Sequence, residues 1–192
     1  MKALKIFGLA LLMILIAQGK TFAEMPEVSA NETYFDVFKG VYVLNGNVHV
    51  AVNNHGFQAD VKADEAQVSV VNQKCWATGH VKLEHGNIIF GCDRAYIQGQ
   101  NKTVYVKGKV KFENKNSVAI NSDTAIFNWD NKIVDFYGKV TIKTDRNLKF
   151  ASGVKLNGKE YQHVRYNIEE NKILALDKTF RAPEIVIPEV GN

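Results

Sequence analysis

Apolar and polar residues alternate with a period of two along four stretches of the chain. In residues 103–112 every second side chain is apolar or glycine, and the intervening positions carry Thr, Tyr and three lysines. Residues 42–52, 77–84 and 134–142 follow the same pattern. Such alternation is typical of half-buried β-strands. Because no helical periodicity follows the first 23 residues, we predict an all-β fold.

A unit of about thirty residues recurs four times. The triplet Gly-x-Val begins at Gly46, Gly79, Gly108 and Gly138, with spacings of 33, 29 and 30 residues. A second marker, an apolar residue three positions before Asp in the first three copies, follows each triplet. The four markers begin at Phe57, Phe90, Ile120 and Phe150. Two landmarks that keep one period predict a stack of similar structural repeats.

Each of the four glycines lies inside a predicted strand, at a position that the alternation of apolar and polar residues assigns to the inward face. Glycine weakens a strand interior, so it usually marks a bend or a close backbone approach. We therefore predict that each repeat is a strand folded over at its glycine, a turn and a return strand. Stacked copies would form a solenoid-like sandwich or V-shaped roll with a continuous apolar lining, since one copy cannot bury its apolar face alone.

The first 23 residues have the pattern of a cleavable secretory signal. Lys2 and Lys5 precede the apolar run 6–17, and small residues stand at the positions that a cut after Ala23 requires. The uncharged stretch between Lys5 and Lys20 is fourteen residues long, shorter than the ~20 that span a bilayer. We expect export through this segment, residues 1–23, to the periplasm.

The rest of the chain is predicted to contain one domain. Residues 24–33 are interpreted as a linker, 34–178 as the β domain and 179–192 as an extended tail. The segments Val41–Val50 and Lys172–Leu176 are the candidate edge strands, where the sheet could pair with another molecule. Alternatively, the tail could cover the second of these edges.

Composition and charge exclude several classes of protein. The chain is 46% hydrophobic and 23% charged, as in ordinary globular domains. The first 23 residues hold three of the 24 basic residues and none of the 20 acidic ones, so the net charge of +4 falls to +1 without them. A nearly neutral chain without a basic block is a poor nucleic-acid binder.

Few residues suggest chemistry. Cys75 and Cys92 alternate in step with the inward apolar residues of their strands. They could form a disulfide in an oxidising compartment, or remain two buried thiols. No nucleophile motif occurs, so we predict no enzyme and no catalytic residue. The histidines lack metal-ligand spacing and are expected at the surface, so no metal site is predicted. They are His49, His55, His80, His85 and His163.

Three carboxylates recur once per copy. Asp60, Asp93 and Asp123 could stack into a ladder that binds calcium, or could cap turns and face solvent.

The signal-like N-terminus, the Gly-x-Val copies and the Phe-x-x-Asp markers together resemble the LptA/OstA-like family (organic solvent tolerance-like domain) of periplasmic lipopolysaccharide transport. The resemblance covers about residues 34–156, and 108–123 is the stretch most like the family. It implies a β-jellyroll or "β-taco" of stacked antiparallel strands, whose apolar groove holds the acyl chains of lipid A. It also implies no cofactor. The implied partners are membrane-anchored and outer-membrane components of the same fold, or head-to-tail copies of the chain.

The inward positions form one apolar set. This set could be a filled core, or it could line a trough that stays open along one edge and takes lipid tails. The first case favours a scaffolding module of the cell envelope, and the second favours a non-catalytic carrier or bridge for lipopolysaccharide. The candidate groove residues are Val48, Val50, Phe57, Val81, Leu83, Ile88, Phe90, Val110, Phe112, Val118, Ile120, Val140, Ile142 and Phe150.

Overall fold

The computed structural model describes five segments, with side chains throughout except at residues 52–54 and 57–59. These segments are 27–54, 57–69, 71–115, 117–144 and 147–189. Within them the chain forms twelve β-strands. The strands are β1 (Glu27–Ser29), β2 (Glu32–Asp36), β3 (Val41–Asn54), β4 (Phe57–Ser69), β5 (Lys74–His85), β6 (Ile88–Gln98), β7 (Thr103–Asn114), β8 (Val118–Asn128), β9 (Ile133–Thr144), β10 (Lys149–Phe150), β11 (Tyr161–Asn167) and β12 (Lys172–Asp177).

All twelve strands belong to one sheet. Strands β3 to β9 pair antiparallel in chain order, followed by β11 and β12. Connections of two to four residues join β3 to β9, so each predicted repeat is a hairpin made of one strand and its return strand, whereas a longer segment that contains β10 joins β9 to β11. At one end both β1 and β2 pair with β3, and at the other β10 pairs parallel with β12. The prediction of an all-β stack of repeats is confirmed.

A crease runs across the sheet at one level. Every pairing from β3 to β9 changes register there, for example between Thr78 and Val81 in β5. At Gly108 and Lys109 the backbone takes φ values of +85° and +46°. Two successive left-handed residues in a strand form a β-bulge, which bends the strand. The predicted bend at the glycine is therefore confirmed.

The crease divides the sheet into two arms that face each other. Phe112 of one arm contacts Phe136 and Tyr166 of the other, with ring centroids 5.5 and 5.4 Å apart. One buried apolar cluster fills the space between the arms. Arm A comprises residues 41–45, 65–69, 74–78, 94–98, 103–107, 124–128, 133–137, 163–167 and β12. Arm B comprises 48–54, 57–63, 81–85, 88–92, 110–114, 118–122 and 140–144.

Glycine and aspartate alternate along the crease from strand to strand. A Cβ built on Gly108 would lie 2.5 Å from Oδ2 of Asp93, and one on Gly138 would lie 2.6 Å from Oδ2 of Asp123. A side chain at these glycines would thus point to an acid on the outer surface, which corrects the predicted inward position. The row is Gly46, Asp64, Gly79, Asp93, Gly108, Asp123 and Gly138.

The N-terminal edge of the sheet differs from the prediction. β1 and the start of β2 lie in the segment 24–33, which was interpreted as a linker, and both hydrogen-bond to β3. The linker interpretation is therefore wrong for residues 27–29, 32 and 33. Val41–Val50 is covered by these strands, so the outermost strands among the described residues are β1 and β2. The predicted signal segment, 1–23, lies outside the described residues.

The C-terminal tail crosses the outer face of arm A. Phe180 stacks on Tyr137 of β9, and the Trp76 indole N–H of β5 donates to the Pro188 carbonyl at 2.9 Å. Four strand spacings of ~4.8 Å separate β9 from β5, and eight extended residues span ~26 Å, so the tail is long enough to cross. Ile185, midway along it, is buried. The tail therefore covers the outer face of arm A and not the edge of β12.

We expect Gly108→Ala to destabilise the fold by about 2–4 kcal/mol, because left-handed strain and crowding against Asp93 add together. Gly153 is the matched control: its φ is +79°, and a Cβ there meets nothing within 4 Å. Gly153→Ala should therefore cost only the strain, about 1–2 kcal/mol. Urea denaturation measures both, and equal losses in the two variants would show that the aspartate does not hold the crease.

Candidate functional site

The predicted groove residues lie between the arms, but they differ in exposure. The side chain of Phe57 is outside the described residues. Eight others are buried: Val48, Val50, Val81, Val110, Phe112, Val118, Ile120 and Val140. Five are partly exposed: Leu83, Ile88, Phe90, Ile142 and Phe150. The interior is therefore a core along most of its depth, with an accessible apolar rim.

The accessible rim is best developed on strands β5 and β6. Leu83 is 37% exposed and pairs directly with Phe90, and Ile88 stands beside the turn that joins the two strands. We call these three residues the rim strip. Because they belong to arm B near its tip, they border the space between the arms. An apolar chain could contact them there without unfolding the core.

At the β11–β12 end a hydrogen-bonded network closes the space between the arms. The Tyr166 hydroxyl accepts from the Asn114 side-chain amide at 2.9 Å and donates to Asn171 Oδ1 at 2.8 Å. Ser117 also donates to Asn171 Oδ1, and Asn171 donates to the Asn147 carbonyl. Burial raises the pKa of Tyr166, so its hydroxyl stays protonated and can donate. The pattern of alternation gave no sign of this network.

The two cysteines are separate buried thiols. Cys75 pairs with Ile97 and Cys92 pairs with Val81, so they lie six residues apart along β5. A disulfide needs Cα atoms within ~7 Å, which this register does not allow. Burial raises the pKa of each thiol to about 12, and a protonated thiol is a poor nucleophile. Of the two alternatives that the sequence left open, the structure shows two separate buried thiols and no disulfide between them.

One histidine is buried, against the prediction that all five lie at the surface. His163 places Nε2 2.8 Å from Asp135 Oδ1 and Nδ1 2.8 Å from Asp177 Oδ2. Arg165 also donates to Asp135. Burial lowers the pKa of His163, but the hydrogen bonds to the two carboxylates outweigh it and the pKa is raised. Both ring nitrogens then donate, and Phe180 of the tail packs on the ring.

The other histidines differ in their surroundings. His49 pairs with Asp60, and His80, which is exposed, pairs with Asp64. His85 is half-buried at the end of β5, and His55 lies outside the described residues.

The three recurring carboxylates do not form a ladder. Asp93 and Asp123 lie over crease glycines, whereas Asp60 lies in arm B beside Lys62 and His49. In the first copy the crease position belongs to Asp64, which lies four residues beyond the marker. Within the described segments no three His, Cys, Asp or Glu side chains come together to hold a metal ion. The same segments contain no helix of the length and hydrophobicity that crossing a membrane requires.

The comparisons with known proteins support the fold. No protein-family model and no curated protein matches the sequence. A solved structure, LptH of Pseudomonas aeruginosa, is similar with a TM-score of 0.51 over 74% of this chain and 94% of LptH, at 12% identity. LptH is described as the LptA-homologous periplasmic component of the conserved lipopolysaccharide transport device. At this identity the likeness establishes an LptA-like β-jellyroll fold, as predicted.

We expect the stabilisation by His163 to depend on pH. Its pKa in the folded chain is raised above 6.5, so its contribution is complete below about pH 6.5 and is lost as the pH rises through the folded pKa. His163→Gln should cost about 3 kcal/mol at pH 6 and less at pH 9. His80→Gln, at an exposed site, is the control. A difference from wild type that grows with pH in denaturation experiments would contradict the assigned charge.

We expect Tyr166→Phe to lower stability by about 1–3 kcal/mol, because Asn114 and Asn171 lose a buried hydrogen-bond partner while the ring remains. Tyr34→Phe, at a position 52% exposed, should change it little. Urea denaturation of both variants tests this. Equal free energies of unfolding for Tyr166→Phe and Tyr34→Phe would mean that the network contributes nothing to closing this end.

Proposed function

We propose that the chain is a non-catalytic lipid-binding protein of the periplasm that carries or bridges lipopolysaccharide between the inner and outer membranes. The observation that carries this proposal is the open sheet, which folds over an apolar interior and leaves the rim strip exposed near the tip of arm B. The likeness to LptH, a periplasmic component of lipopolysaccharide transport, supports it.

The proposed binding follows from hydrophobic transfer. Each methylene that leaves water contributes ~0.8 kcal/mol, so a few methylenes of an acyl chain laid along Leu83, Ile88 and Phe90 offset the cost of ordering them. The sugars and phosphates of the glycolipid would remain in solvent outside the mouth. No covalent step is needed, because the lipid is moved without being changed.

The proposed partners are transport components of the same fold, anchored in the inner membrane or placed in the outer membrane, or further copies of this chain. Such components would join by strand pairing, in which one molecule's edge strand extends another's sheet. β2 carries Tyr34 and Phe35, about half exposed, and Phe38 beyond it is 99% exposed. These aromatic side chains beside an edge strand suit a partner's strand and its side chains.

A second function, an envelope scaffold with a filled core, has one observation in its favour. Phe112, Phe136 and Ile120 are at most 1% exposed, so the interior around them is packed with protein side chains. A scaffold of this kind would need no lipid.

Lipid analysis separates the two functions. We expect mass spectrometry of organic extracts of the purified, exported protein to detect lipid A-containing molecules. We also expect lipopolysaccharide to displace the fluorescent apolar probe 1-N-phenylnaphthylamine. Leu83→Asp places a charge on the rim strip and should weaken displacement by at least about tenfold, whereas Leu156→Asp, at a site of similar exposure outside the strip, should not. An extract without lipid, together with a probe that is never displaced, would favour the scaffold.

A further inference from the structure

We propose that the C-terminal tail is a pH-controlled strap, which stays on the outer face of arm A while the His163 imidazole is charged and detaches when the imidazole becomes neutral. Detachment of residues 179–189 exposes Trp76, which is 7% exposed while its indole N–H donates to Pro188. The strap lies on the outside of the sheet, so this proposal does not depend on the proposed lipid binding.

The tail begins beside one imidazole ring that contacts several segments of the chain. Each ring nitrogen of His163 lies 2.8 Å from a carboxylate, one on Asp135 of β9 and one on Asp177, the last residue of β12. Phe180, three residues after Asp177, packs on the ring with centroids 4.5 Å apart. Tyr137 of β9 stacks on the same ring at 5.0 Å. The end of β12 and the start of the tail are therefore both held by His163.

The number of protons on the ring decides whether both carboxylates can be bound. A charged imidazole has two N–H groups, whereas a neutral one has a single N–H and a lone pair. Once His163 is neutral, one carboxylate therefore faces a lone pair. Asp135 is 14% exposed and also accepts from Arg165, whereas Asp177 is 47% exposed. The buried carboxylate keeps the N–H, because water can replace it only at Asp177, which then turns to solvent.

The tail is the segment that this loss sets free. Strands β9, β11 and β12 pair with one another through backbone hydrogen bonds. Within the described part of the chain no backbone–backbone hydrogen bond joins residues 179–189 to the sheet. The tail is held by side-chain contacts at Phe180 and Ile185 and by the Pro188 carbonyl. Ordering such a segment costs conformational entropy, so it detaches more readily than paired strands separate.

Three charged or titratable neighbours of His163 keep one protonation state near neutral pH. Burial raises the pKa of Asp135, but its hydrogen bonds to His163 and Arg165 outweigh burial and the pKa is lowered. The hydrogen bond to Asp135 raises the pKa of Arg165, and burial raises the pKa of Tyr137. The remaining neighbour, Asp177, is the carboxylate that turns to solvent. The proton that controls the strap therefore belongs to His163.

The direction of the pH response follows from the shift at His163. Burial lowers its pKa, and the hydrogen bonds to Asp135 and Asp177 raise it by more, so the pKa of the closed form lies above 6.5. Detachment then releases a proton, and alkali favours it. The strap is closed below about pH 6.5 and opens as the pH rises through the pKa of the closed form.

NMR of the indole groups tests the strap on the wild-type chain, which has two tryptophans. The Trp76 indole N–H donates to the tail, whereas the buried Trp129 indole N–H has no hydrogen-bond partner among the described residues. We expect the Trp76 signal to move between pH 6 and pH 9, with the same midpoint as the ring signals of His163, and the Trp129 signal to stay. Ile185→Asp supplies the open reference, because a charge at this buried site keeps the tail off the sheet. The open fraction should rise at least about tenfold.

Asp177→Asn separates the charge from the hydrogen bond. An amide accepts from a charged imidazole and donates to the lone pair of a neutral one, so the bond survives at either pH. We expect the open fraction of this variant to change less than about twofold between pH 6 and pH 9. Asp64→Asn is the matched control, because Asp64 lies 2.8 Å from His80 in an exposed pair away from the tail, and it should respond as wild type does.

Two outcomes would overturn the strap. One is a Trp76 signal that stays constant while His163 titrates. The other is a pH response of Asp177→Asn equal to that of wild type, since the bond between His163 and Asp177 would then not hold the tail. If this variant does not fold, the comparison of the two midpoints in the wild-type chain still decides.

Discussion

The contact between a carboxylate on one strand and a glycine on the next is the constraint on which the structure depends. It occurs three times at one level, between β4 and β5, β6 and β7, and β8 and β9, where the bulges align and a single sheet folds along one crease. Without the crease, one face of a twelve-stranded sheet would remain apolar and exposed to water. With it, the sheet packs against itself, and the same strands supply both walls of the core.

Much of the fold follows from local patterns in the sequence. Alternation predicts the long strands, and the spaced glycines predict the bends, because both properties reside within single strands. The marker of the first copy ends at Asp60, four residues before the crease aspartate Asp64, because the first hairpin is longer. The signal that identifies it is a constant offset: Asn31, Asp64, Asp93 and Asp123 each precede their glycine by fifteen residues. The strands β1 and β2 were missed because three and five residues are too few to show alternation.

The candidate site is less predictable than the fold. The alternation along each strand identifies which residues face inward. How the interior is filled depends on which residues of the two arms meet each other. Phe112 meets Tyr166, 54 positions away, and nothing local to either residue indicates the contact. The burial of His163 has the same origin, because its two carboxylates come from neighbouring strands. A periodic sequence therefore produces a lining that is not uniform, with the largest buried aromatic residues on β7, β9 and β11.

The tail also bears on the order in which the molecule can assemble. Trp76 and Tyr96 pack against each other on the outside of arm A, and the indole N–H of Trp76 donates to a carbonyl 112 residues later in the chain. A chain that is synthesised from its N-terminus can form the early hairpins first, since neighbouring strands are close in sequence. The outer aromatic surface of these hairpins stays bare until the last residues arrive. Newly made chains thus pass through a stage in which this aromatic surface is exposed to solvent, and its duration is set by the time needed to complete the final segment.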